Sequence, residues 1–149
     1  MQLLKEFFYE GSYAEDSEES GNDKTFRIYL NNNNFVIFDP EKNNNFNELN
    51  SVEIETLYEN NPSLNCFHII DIEAIEPLKR ITFDGYSLTD DDENEECWIE
   101  LEIIKLSDSI FLFEWIHSKT HARSMAYEYY TMNEKCLFNL IDGSLKMII

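Results

Sequence analysis

The sequence predicts a mainly antiparallel β fold of about eight to ten strands, a meander that either closes into a barrel or folds into a sandwich. Short runs of β-branched and aromatic residues recur along the chain, and residues that favour tight turns separate them. No repeat at a fixed period indicates a solenoid or propeller. At most one or two short helices are expected, which leaves a β-rich α+β fold as the alternative.

The composition predicts one folded domain over residues 1–149. Hydrophobic residues make up 43% of the chain and aromatic residues 14%, which is enough to build a core despite a net charge of −19. The scarcity of Lys and Arg disfavours binding to nucleic-acid phosphates, and no apolar run is long enough for a membrane-spanning helix. Residues 1–11 lack the features of a secretory signal, so a cytoplasmic protein is expected.

The first elements are a strand or helix at residues 3–9, an acidic loop and a hairpin. Residues 12–23 have many carboxylates and almost no core material, so they predict a mobile loop or a segment that orders on binding. Residues 24–30 alternate apolar and polar side chains, which predicts a strand, and residues 35–39 are expected to return as its antiparallel partner. The Asn-rich residues 31–34 between them tolerate the positive φ of a tight turn.

The middle of the chain is less regular. Residues 40–50 have no periodicity and predict a loop. In residues 51–59, alternate positions carry Val, Ile, Thr and Tyr, which predicts a strand with a partly acidic face. Residues 66–74 predict a bent strand that Pro77 terminates. Residues 80–88 carry Asp-Gly in the middle, either a hairpin turn or a bulge in one longer strand.

The last third predicts a meander of strands at residues 97–106, 110–117 and 123–132. A hairpin of residues 134–141 and 145–149 follows, with Asp142-Gly143 at its turn. In the first strand of the meander Ile99, Leu101 and Ile103 are expected inward and Glu100 and Glu102 outward. The next two strands contribute Glu114 and Glu128. These four carboxylates are expected to share one face of the sheet.

No motif identifies a reaction. The chain lacks a nucleophile elbow, a phosphate loop and a dinucleotide fingerprint, so a non-enzymatic protein without a cofactor is expected. The three cysteines each adjoin apolar residues, which favours reduced, partly buried thiols. His117 and His121 lack the further ligands that a zinc site needs, and the acidic segment 90–96 lacks the glycine and spacing of an EF-hand. No metal site is predicted.

The clustered carboxylates carry the most information about function. Like charges on neighbouring strands destabilise a sheet, but they attract a basic partner and raise its association rate. Trp98 is expected to serve as an aromatic anchor at the centre of such a surface. The candidate partner-binding residues are Asp90, Asp91, Asp92, Glu93, Glu95, Glu96, Trp98, Glu100, Glu102, Glu114 and Glu128.

A small acidic domain that is rich in Asn and Ile and lacks a signal peptide and a catalytic motif resembles bacterial immunity proteins. These proteins neutralise the toxins of contact-dependent growth inhibition and related polymorphic toxin systems. The resemblance lies in the overall character of the whole chain, and no residue role is carried over from it. It implies stoichiometric binding of a basic toxin, often a nuclease, in the cytoplasm. The alternatives are a phage or plasmid DNA mimic that blocks restriction or CRISPR nucleases, and a barrel that binds a small apolar ligand.

Overall fold

The computed structural model describes residues 1–9, 24–40, 49–84, 88–90, 95–123 and 126–148. Within them the strands form two antiparallel sheets, which confirms the mainly β fold, and neither sheet closes into a barrel. The predicted acidic loop at residues 12–23 lies outside the described residues. In chain order the elements are β1 (Gln2–Tyr9), β2 (Lys24–Asn31), β3 (Asn34–Phe38), α1 (Ser51–Asn60), β4 (Phe67–Asp71), a 3₁₀ helix (Ile72–Ala74), β5 (Arg80–Asp84), β6 (Leu88–Asp90), β7 (Glu95–Lys105), β8 (Ile110–Arg123), β9 (Ala126–Asn139) and β10 (Leu145–Ile148).

The first compact unit, Met1–Ile75, contains a sheet in the order β1-β2-β3-β4. The segment that fitted a strand or a helix is the strand β1. The predicted hairpin is confirmed: β2 and β3 pair in register, and Asn32 in the turn has a φ of +53°. Both central strands are buried along most of their length, including Tyr29 and Phe38.

The predicted strand at residues 51–59 is wrong, because this segment is the helix α1. Its first turn has a capping box. The Glu53 N–H donates to the Asn50 side chain at 2.9 Å, and the Asn50 N–H donates to the Glu53 carboxylate at 3.3 Å. Ile54, Leu57 and Tyr58 recur at helical spacing and pack against the sheet. The helical period therefore prevails over the two-residue alternation.

The second compact unit, Glu76–Ile149, contains a sheet in the order β10-β9-β8-β7-β5, with β6 also paired to β7. The predicted meander is confirmed as β7, β8 and β9. However, β9 runs without a break where the sequence predicted two strands, at residues 123–132 and 134–141. The predicted turn is present before β10, and Gly143 there has a φ of +72°.

The register excludes one of the two alternatives for residues 80–88. Both β5 and β6 pair antiparallel with β7, with Asp84 opposite Glu100 and Leu88 opposite Cys97. Leu88 follows Asp84 by four residues, whereas their partners on β7, Cys97 and Glu100, are three residues apart. A two-residue hairpin would require β5 and β6 to pair with each other, whereas both pair with β7; residues 85–87 between them lie outside the described residues.

Candidate partner-binding surface

The predicted carboxylate face of the second sheet is only partly exposed. Glu102 and Glu114 lie directly opposite each other on β7 and β8, as expected. Both are buried, with relative exposures of 7% and 9%, although the sequence predicted that they face outward into solvent. Glu100 is half-buried. As predicted from strand alternation, these glutamates lie on the opposite face of the sheet from the buried Leu101 and Ile103. Alternation does not, however, show whether the face that carries the glutamates is exposed to solvent.

Cations and an amide compensate the two buried carboxylates. Arg80 Nη1 donates to Glu102 Oε2 at 3.0 Å. Asn133 Nδ2 donates to Glu114 Oε1 at 3.0 Å, and Lys135 Nζ lies 3.7 Å from the same oxygen. Such pairing is what buried charges require. We call these five residues the polar row. Its carboxylates are matched within the sheet and do not present free charge to a partner.

Glu128 does not share the face of Glu114. The pairing of β8 with β9 has a constant register, in which Glu114 is opposite Lys135 and His121 is opposite Glu128. Because successive strand positions alternate between faces, Glu128 falls in the opposite set of positions from Glu114. The expectation that the four carboxylates project from one side of the sheet is corrected here.

The remaining predicted site residues lie in or beside the β6–β7 hairpin. Asp90 on β6 is opposite Glu95 on β7, and Thr89 is opposite Glu96. Trp98 follows on β7. The side chains at these positions, and all of residues 91–94 with Asp91, Asp92 and Glu93, lie outside the described residues. At the backbone level, acidic positions are therefore paired directly across the hairpin.

Helix α1 carries an acidic outer face that the sequence assigned to a strand. Ile54 is fully buried against the sheet, whereas Glu53 and Glu59 are exposed and Glu55 is partly exposed. Glu53 belongs to the capping box. Among the described residues none of the three carboxylates forms an ion pair. The signals that could have found this face were Asn50 followed by Glu53, and the apolar spacing of the helix.

The buried ionisable groups of the first unit do not form a nucleophilic site. Burial raises the pKa of the Cys66 thiol, which keeps it protonated and unreactive at neutral pH. Asp39 Oδ2 lies 3.8 Å from His68 Nε2, close enough for an ion pair but beyond hydrogen-bond distance. The Cys66 thiol packs in the core cluster beside Phe67 and Ile54.

The described residues contain neither a cluster of metal ligands nor a membrane-spanning helix. These residues include no group of three or more His, Cys, Asp or Glu side chains placed to hold a metal ion. They also contain no helix with the length and apolar character needed to cross a membrane. No family model, curated protein or solved structure matches the chain.

Proposed function

We propose that this protein is a cytoplasmic, non-enzymatic immunity protein that binds a basic toxin domain, such as a nuclease, and blocks it by stoichiometric occlusion. The observation that carries the proposal is the outer face of α1. There Glu55 and Glu59 lie on one side of the helix and reach solvent without a cation partner among the described residues, and Glu53 reaches solvent on another side. A partner with complementary positive charge would supply the missing cations.

Two of these carboxylates are placed where they weaken the helix. Glu55 and Glu59 are four residues apart, so like charges face each other on one side of α1. Glu59 also lies in the last turn, at the negative end of the helix dipole, and that turn contains no basic residue. Selection for stability alone would favour Lys or Arg at the position of Glu59. Binding to a basic partner accounts for a carboxylate there.

The charge of the first unit favours rapid capture of a basic partner. Residues Met1–Ile75 contain fifteen acidic residues and four basic ones. Long-range attraction of this kind raises association rates, and salt screens it. An immunity protein has to capture its toxin before the toxin reaches its target, so rapid association suits the role.

In the second unit, the hairpin segment at residues 90–96 with Trp98 and Glu100 remains a separate proposed contact for the partner, whereas the position of Glu128 lies on the opposite face of the sheet from Glu100. Opposed acidic positions such as Asp90 and Glu95 destabilise a hairpin unless a partner neutralises them. Glu102 and Glu114 are left out of the proposed interface because the polar row already compensates their charge.

Production of this protein with the protein encoded beside it tests the proposal. We expect the neighbouring product to arrest growth when produced alone, and co-production to restore growth. The variant Glu55→Lys/Glu59→Lys should associate about tenfold more slowly at about 0.1 M salt, and the difference should shrink at about 0.5 M. The repulsion between positions 55 and 59 is the same in the variant and the wild type, and the helix dipole favours a positive charge at position 59, so slower association would not reflect a weaker helix.

The control is Glu73→Lys, compared with the single variant Glu59→Lys, because both make the same change in net charge and Glu73 is exposed outside α1. Equal slowing by both variants would mean that only total charge matters, and would reject the α1 face. A neighbouring product that neither binds nor arrests growth would reject the immunity proposal. Capture of several DNA enzymes at low salt only would favour a DNA mimic instead.

A further inference from the structure

Three exposed aliphatic side chains lie at one end of the second sheet. Leu78 is 72% exposed, Leu106 43% and Ile141 83%. Each belongs to a different chain segment at that end: Leu78 precedes β5, Leu106 lies between β7 and β8, and Ile141 lies between β9 and β10. We call these three residues the apolar end.

Backbone hydrogen bonds hold the three segments in place. The Leu78 N–H donates to the Lys105 carbonyl at 2.9 Å, and the Leu106 N–H donates to the Ile110 carbonyl at 2.9 Å. The Leu140 N–H donates to the Ser109 carbonyl at 2.8 Å, which ties the segment of Ile141 to the β7–β8 connection. Since β8 alone separates β7 from β9, the backbones that carry Leu106 and Ile141 are about 10 Å apart. The apolar end is therefore compact enough to enter one site on a partner.

Leu78 adopts an unfavourable backbone conformation without the compensation of burial. Its φ is +62°, in the left-handed region that glycine and asparagine tolerate and a leucine resists. Asn32 occupies the same region in the first unit with a residue suited to it. A strained and exposed leucine is not explained by stability of the fold, and strain of this kind recurs at functional sites.

The exposed basic side chains next to Leu78 are already paired, Lys79 with Glu76 and Arg80 with Glu102, so the unpaired exposed charge at the apolar end is acidic. Asp108 and Asp142 are exposed and have no ion-pair partner in the described part of the chain. Hydrogen bonds from the Ser144 side chain and from the Ser144 N–H, which donates to Asp142 Oδ1 at 2.8 Å, lower the pKa of Asp142 and keep it ionised at neutral pH. Lys105, whose carbonyl accepts from the Leu78 N–H, is half-buried.

We propose that the apolar end anchors the basic protein partner, with Leu78, Leu106 and Ile141 entering an apolar cleft that basic residues surround. An apolar centre inside a charged rim is the usual anatomy of a protein interface, and a few central residues carry most of its binding energy. This inference rests on the proposed function. The two features are expected to affect different rates. The carboxylates of α1 raise the association rate, and the apolar end lowers the dissociation rate.

The experiment measures association and dissociation rates with the purified toxic protein encoded beside this one as the probe. The variants are Leu106→Ser/Ile141→Ser and Leu78→Asn, and the control is Ile69→Ser, an apolar residue 49% exposed on β4 in the first unit. We expect the double variant to dissociate about tenfold faster while its association rate stays within about twofold. Leu78→Asn should also dissociate faster, although its thermal midpoint rises because Asn tolerates the left-handed conformation.

The outcomes separate the two proposals. If the wild-type protein binds the probe and both variants dissociate at the wild-type rate, the proposal that the apolar end anchors the partner is rejected. The immunity proposal is then unaffected. Equal acceleration by Ile69→Ser also overturns the proposal for the apolar end, because the effect would then not depend on position. If the wild-type protein does not bind this probe, both proposals fall together. Circular dichroism of every variant confirms that a change in rate does not reflect unfolding.

Discussion

At the scale of single residues, the polar row shows how a sheet accommodates charge that its own strand pairing brings together. Glu102 and Glu114 are directly opposed and buried, an arrangement that repulsion and desolvation both disfavour. Each carboxylate has its own basic partner on the neighbouring strand, Arg80 on β5 and Lys135 on β9. Across β5, β7, β8 and β9 the four charges thus run basic, acidic, acidic, basic, so that each carboxylate has a cation on its far side.

Arg80→Met should destabilise the protein by about 1–2 kcal/mol, because it leaves the Glu102 carboxylate buried without a cation. This loss of stability is smaller than for a fully buried ion pair, because the Arg80 side chain is itself 63% exposed and solvent screens its charge. Urea denaturation measures the loss. Adding Glu102→Met should restore most of it, and a double variant as unstable as the sum of the single variants would show that the pair is not coupled.

Tyr29 predicts a dependence of stability on alkaline pH. Its hydroxyl lies 3.0 Å from Ser51 Oγ and links β2 to the start of α1, and burial raises its pKa above the ordinary value of 10.0. The folded state thus favours the neutral hydroxyl. The resulting stabilisation is complete below about pH 10 and is lost as the pH rises through the folded-state pKa.

The variant Tyr29→Phe should lose about 1 kcal/mol at pH near 8 through the missing hydrogen bond. It should also lose less stability than the wild type when the pH is raised to about 11, since it has no phenol to ionise there. Urea midpoints of the two proteins across this range supply the comparison. Parallel curves would show that Tyr29 ionises as readily in the folded state as in the unfolded one.

At the scale of elements, α1 combines a favourable start with an unfavourable end. The capping box of Asn50 and Glu53 satisfies the first turn, whereas Glu59 opposes the dipole in the last. Glu59→Lys should therefore stabilise the protein by about 0.5–1 kcal/mol, through a favourable end charge and a new Glu55–Lys pair. Thermal denaturation tests this against Glu73→Lys, which makes the same charge change outside the helix. An equal gain in both variants would attribute the effect to net charge.

The elements that could be predicted from the sequence are those whose structure is determined by residues close together in the chain. Alternation and turn residues suffice for β2 and β3 around Asn32, and for the turn at Gly143, because strand period and positive φ are local properties. The helix was missed because β-branched residues at alternate positions, such as Val52 and Ile54, imitate a strand. Burial of Glu102 was missed for another reason: the residues that compensate it come from β5, more than twenty positions away. The acidic character of the candidate site was thus predictable from the sequence, whereas the burial of Glu102 and Glu114 was not.

At the scale of the whole molecule, two spectroscopic probes report on different compact units. Both tryptophans, Trp98 and Trp115, lie in Glu76–Ile149, whereas α1, the helix of the described residues, lies in Met1–Ile75. Tryptophan fluorescence therefore follows the second unit, and the helical part of the circular dichroism signal follows the first. The sequence predicted one domain over the whole chain, and units of this size are only marginally stable alone.

We therefore expect the two signals to change together in urea, as one cooperative transition. Ile54→Ala sharpens the test, since Ile54 is fully buried beneath α1 and its truncation should cost about 2–4 kcal/mol. In a single domain this change lowers the fluorescence midpoint as much as the circular dichroism midpoint, although Trp98 and Trp115 are both in the other unit. The reciprocal variant Phe138→Leu, in the core of the second unit, should likewise lower both midpoints. If each variant moves only the signal of its own unit, the chain folds as two domains, and the acidic helix and the apolar end belong to modules that can be produced separately.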